Sequence, residues 1–159
     1  MTQQSASELY KIAAETTAKY IYFLLATSGA AIAYGVEVAG SSKLSWPLLL
    51  LVLALASWAL SFYAGCKSLQ FDISANNLTF DAQQQTEVII AAQKMVSAEQ
   101  ISELKESYEE NIQLINQALN LSSSKAGEYL VLQFRSLIIG VVGFVAWRAT
   151  EFVINAVAP

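Results

Sequence analysis

The sequence predicts an all-α integral membrane protein, with three transmembrane helices and a cytoplasmic helical hairpin between the second and the third. Three observations carry this. The 159 residues are 55% hydrophobic and only 14% charged, where an ordinary soluble domain is about 25% charged. Mean hydropathy is +0.43, more apolar side chain than a soluble domain of this size can hide from water. The apolar residues also fall into three runs of spanning length, and one long acidic stretch separates the last two.

Residues 1–19 read as a cytoplasmic N-terminal helix. Leu9, Tyr10, Ile12, Ala13 and Ala14 give it apolar positions, and it leads straight into the first span. Its charge is near zero, which makes it a poor electrostatic ligand for acidic lipid. Tyr20 to Val36 is a run of 17 residues without a charge, closed by Glu37. It meets the length of roughly 20 residues needed to cross a hydrocarbon core of about 30 Å, and the span is set at 20–39. Val38-Ala39-Gly40 is acceptable by composition as a signal-peptide cleavage site, but the run is read as a retained anchor.

Leu44 to Cys66 is the clearest span, 23 residues without an acid, amide or base. Pro47 fits the first turn of a helix entered at Ser45, where a missing N–H has no intrahelical partner to lose. The third span, 129–157, is less clean because Tyr129 to Trp147 includes Gln133 and Arg135. Arg135 stands about 9 Å of helix rise from Tyr129, close enough to snorkel to an interface. Beyond Arg148 the chain stays apolar enough to extend the span.

Five bases (Lys11, Lys19, Lys67, Lys125 and the near-terminal Arg135) fall on one side of the membrane, and Lys43 and Arg148 on the other. The excess places the N-terminus and the long middle segment in the cytoplasm. The Gly40–Lys43 turn and the C-terminus then lie outside.

The middle segment, residues 67–128, has four lysines and nine acids, no proline and one glycine. Ser97 and Gln100 match a capping box. After them Ile101, Leu104, Tyr108, Ile112, Ile115 and Leu119 recur at steps of 3 and 4, one helical stripe. Phe71 to Val96 reads as a second helix. The expected breaks are Asn76-Asn77, a reversal near Met95 to Ala98, and Asn120 to Ser124. The stripe is expected to pack on its own partner helix; the alternative is a coiled-coil surface that joins subunits or a partner.

Composition also excludes. With no histidine and one cysteine, the chain has no histidine acid–base chemistry, no intrachain disulfide and no conventional zinc site. A formal charge of −4 argues against a nucleic-acid-binding surface. No phosphate loop or nucleophile elbow is present. No enzyme, metal or cofactor is expected. Cys66 beside Lys67 is a juxtamembrane position that can be acylated, though such a cysteine usually serves as a small packing residue.

The candidate functional residues are those expected in helix packing or along a pore: Glu37, Arg135, Arg148, Gly140, Gly143, Ser57 and Ser61. Small residues mark packing faces between membrane helices. They form one face in each span: Tyr22, Ala26, Gly29, Ala30, Ala33 and Glu37 in the first, Ala54, Ser57, Ser61 and Ala64 in the second, and Ser136, Gly140, Gly143 and Ala146 in the third. Glu37 is expected to face protein and to pair with Arg148; Asp72 and Glu128 are candidate partners of Arg135. Thr27, Ser28, Ser57 and Ser61 supply the hydroxyls that a polar pore face would use.

The expected protein is an oligomeric, non-enzymatic membrane protein, a pore-forming or membrane-perturbing effector gated through its cytoplasmic helices. The alternative is a membrane-anchored scaffold or accessory subunit that recruits a soluble partner. The partners in view are the lipid bilayer, further copies of the chain and a soluble protein on the cytoplasmic helices. A bacterial inner membrane, with the N-terminus cytoplasmic, is the expected location.

Overall fold

The computed structural model describes residues 3–41, 46–92 and 98–157, all but two of them helical. Helix α1 is Gln3–Ser41, α2 is Leu48–Ala92 and α3 is Ala98–Val157. All three are long and apolar enough to cross a membrane, over Glu15–Gly40, within Leu48–Ala92 and within Lys105–Ile154. That points to a membrane protein.

Helix α2 starts at Leu48, so Pro47, expected inside the first helical turn, lies just before it. Trp46 and Pro47 form the turn that leads into it: the Leu49 N–H donates to the Trp46 carbonyl at 3.1 Å and the Leu50 N–H to the Pro47 carbonyl at 3.0 Å. Pro47 thus offers its carbonyl to the first helical turn, where its lack of an N–H costs nothing.

Two expected interruptions are absent. Helix α2 runs unbroken through Asn76-Asn77, and α3 through Asn120 to Ser124. Asparagine and serine lower helix stability by at most about 0.7 kcal/mol each. Nearby hydroxyls also bond back into the helix instead of competing with it: Thr79 Oγ1 donates to the Ala75 carbonyl at 2.9 Å and Ser123 Oγ to the Asn120 carbonyl at 3.2 Å. The glycines add no break, since no described glycine has a positive φ. The capping serine Ser97, most of the expected reversal near Met95 and the Ser42–Lys43 end of the expected turn lie outside the described residues.

The chain divides into two compact units, Met1–Ser68 with Glu128–Pro159, and Leu69–Gly127. In the first, the buried positions recur at helical steps: Ile21, Leu24 and Ser28 on α1; Leu51, Ala54, Trp58, Ser61, Ala64 and Ser68 on α2; Gln133, Ser136, Leu137 and Trp147 on α3. Leu24, Trp58 and Leu137 form the centre, with Ala31, Ile32, Leu55, Leu130 and Phe144 packed around it. The outside is equally apolar: Phe23, Leu53 and Val142 are 66%, 63% and 62% exposed. Within the most apolar window of each helix only 22%, 33% and 28% of the residues are buried. An apolar exterior of this extent suits hydrocarbon rather than water.

In the second unit, α2 from Leu69 onward packs with the first half of α3. The hydroxyls of Thr86 and Tyr108 meet at 2.9 Å, and Thr86 Oγ1 also reaches the Ala82 carbonyl at 2.8 Å. Tyr108, Ile112, Ile115 and Leu119 of the predicted stripe are half-buried, whereas Leu114 and Leu121, off the stripe, are exposed. The side chains of Ile101 and Leu104 lie outside the description. Lys105 and Glu109 form an exposed i,i+4 pair at 3.9 Å, worth about 0.3–0.5 kcal/mol.

Candidate functional site

The feature of the first unit with the most chemistry is a polar layer inside the three-helix bundle. One hydroxyl comes from α1 and one from α2, each placed on the buried face by its helical step. Ser28 Oγ lies 2.8 Å from the Leu24 carbonyl and 3.1 Å from Ser61 Oγ, and Ser61 Oγ lies 2.8 Å from the Gln133 carbonyl. Both serines are fully buried.

Counting protons shows what the layer lacks. Three short oxygen–oxygen contacts share two hydroxyl protons, since each serine carries one. If both protons point at carbonyls, the two serine oxygens face each other with lone pairs only. Close by, the Gln133 side chain is 0% exposed, and both Nε2 and Oε1 are without a hydrogen-bond partner. A buried unsatisfied polar group costs about 1–3 kcal/mol. Its amide packs against the bare backbone of Gly65: a Cβ there would stand 2.8 Å from Gln133 Cδ and 2.8 Å from Leu25 Cδ2.

A second close approach lies one layer along. The Trp58 indole fills the space where a side chain on Gly140 would be, and Trp58 Nε1 is also buried without a partner. Gly35 offers a similar clearance, 2.7 Å from Leu55 and 3.3 Å from Trp58 for an added Cβ. Phe144 joins this layer as an aromatic hub, with ring centroids 5.8 Å from Tyr34, 5.7 Å from Trp58 and 5.4 Å from Trp147. Such tilted pairs add about 0.5–1.5 kcal/mol each beyond area burial.

The predicted site residues therefore separate. Ser61 and Gly140 lie inside the bundle, Gly143 is half-buried with room for a Cβ that would stand 3.4 Å from Ala54 Cβ, and Ser57 is half-buried. Glu37 and Arg135 are exposed. Arg148 does not pair with Glu37: it donates to Glu151 Oε2 on its own helix at 2.9 Å and lies over the Trp147 ring at 5.7 Å. A partner three residues away on the same helix needs no second helix to position it. The face of α1 that carries Glu37 turns outward, since Tyr22, Ala26, Ala30 and Ala33 are exposed with it.

Sequence reasoning passed over Gln133, Gly65 and Trp58. The signal for Gln133 was present: it stands three residues before Ser136 and seven before Gly140, one turn along the same strip. Among the described residues, no group of three or more His, Cys, Asp or Glu side chains is placed to hold a metal ion. Cys66 is a free, half-buried thiol.

Comparison with family models, with curated proteins and with solved structures finds no match for this chain.

Proposed function

We propose that the protein is a non-enzymatic, membrane-anchored scaffold or accessory subunit, in which the three-helix bundle anchors and the 69–127 helix pair recruits a soluble partner. The observation that carries this reading is the use of the hydroxyls. Ser28 and Ser61, two of the four that a polar pore face would need, are spent on each other and on carbonyls inside the bundle. Around them the centre is filled by Trp58, Leu24 and Leu137, which supports a packed interior within one protomer.

Helix length supports the same division of labour. Helices of 45 and 60 residues exceed by a wide margin the roughly 20 residues that a crossing uses. The remainder builds a unit whose sequence carries three lysines and eight acids, a composition for water. By the base count that unit and the N-terminus face the cytoplasm, and an inner bacterial membrane fits the orientation. The exposed small-residue face of α1 favours a second copy packed there. A pore formed between copies is the competing reading, and the exposure of Glu37 on that face is what favours it.

Reconstituted protein in liposomes separates the two. The scaffold reading expects no ion flux above that of protein-free vesicles, at any protein-to-lipid ratio. Flux that rises with protein content and changes its cation preference in Glu37→Ala would replace it with the pore.

A further inference from the structure

We propose that one groove of the 69–127 helix pair is the docking surface, and that its occupant is an amphipathic helix bearing lysine or arginine, supplied by a soluble partner. This rests on the scaffold reading. The groove is about 500 Å³ and is lined by Tyr108, Ile112 and Leu119 of α3 and by Gln83, Thr86 and Glu87 of α2.

The apolar α3 residues of the lining, Tyr108, Ile112 and Leu119, stand at i, i+4 and i+11 on one face, so the apolar strip runs along the helix rather than ending in a spot. A strip of that form is what an amphipathic helix reads, with anchors spaced at i, i+3 or i+4, and i+7. The groove is not fully apolar: Thr79 and Asn116 also line it, so the occupant must bring polar groups beside its anchors.

Charge selects among occupants. Glu87 is exposed at the groove, and Asp81, Glu106, Glu109 and Glu110 are exposed elsewhere on the same unit. With three lysines against eight acids the unit carries a net charge of −5. A second copy of the chain would bring the same charge to the contact, and like charges set against each other work against association. Cationic side chains along the rim of a partner helix convert that cost into attraction and faster encounter.

The test places a photoreactive amino acid at Gln83, in the groove, and separately at Leu114, exposed outside it, in the full-length protein in its native membrane. The crosslinked peptides are then sequenced. The expected result is capture at Gln83 of a helix-forming segment of net positive charge with apolar residues at helical spacing. Glu87→Lys should lower its yield by about fivefold or more. Capture of a second copy, of an acidic or uncharged segment, or a yield indifferent to Glu87→Lys overturns the proposal. Protein captured at Leu114 but not at Gln83 overturns the groove and leaves the scaffold standing. No protein captured at either position overturns both.

Discussion

Gly140 and Gly143 are the same residue three positions apart, yet the bundle asks different things of them. A Cβ on Gly140 would fall on the Trp58 indole, a ring held by Phe144 and by its own burial, whereas a Cβ on Gly143 meets Ala54 at an ordinary 3.4 Å. Gly140→Ala should therefore cost about 1–3 kcal/mol through overpacking, and Gly143→Ala close to nothing. Thermal unfolding in detergent checks it: a midpoint lowered by Gly140→Ala alone is expected, and equal shifts would mean that the indole does not fill that space. Gln133 makes a second prediction. Its backbone carbonyl accepts from Ser61, but its amide is buried without a partner. Gln133→Leu keeps the carbonyl and removes the orphaned atoms, so it should be neutral or stabilising. Ser61→Ala removes a hydroxyl shared by three helices and should lower stability by about 0.6–1.7 kcal/mol.

At the scale of the helix, the outcome turned on how much a polar residue can do. Asn76-Asn77 and Asn120 to Ser124 were legible as weak points and proved to be uninterrupted helix, because each substitution costs tenths of a kcal/mol while a break forfeits several backbone bonds. Spin labels at Ile73 and Glu87 span the first of these places, and labels at Gln113 and Gly127 the second. A continuous helix separates each pair by about 21 Å of rise, giving a narrow distance distribution in pulsed electron resonance. A broad or much shorter distribution for either pair would restore the break. What the sequence displayed well was periodicity, as in the Tyr108, Ile112, Ile115 and Leu119 stripe and the Ala54, Ser61 and Ala64 face, all turned inward or half-buried. It misled on α1, where the small-residue face of Tyr22, Ala26, Ala30, Ala33 and Glu37 was expected inward and is exposed. Small and large residues alternate around that helix, and the buried set Ile21, Leu24 and Ser28 is no more apolar than the exposed one. In hydrocarbon no polarity difference marks the outside, so a packing face is defined by shape. The Glu37–Arg148 pairing failed for the same reason, since it assumed an inward Glu37.

For the whole molecule, the proposed function makes the three-helix bundle a packed anchor and the 69–127 helix pair the working surface. The polar layer tests whether a path runs through the bundle of one protomer, because Ser28 and Ser61 either face each other or face water. Single variants Ser28→Cys and Ser61→Cys, in a Cys66→Ser background and in native membranes, can be exposed to a membrane-impermeant thiol reagent from either side. The account predicts that neither reacts until the protein is denatured, after which both do. Rapid labelling of either one in the folded protein would place an aqueous path at the centre of the bundle and contradict it.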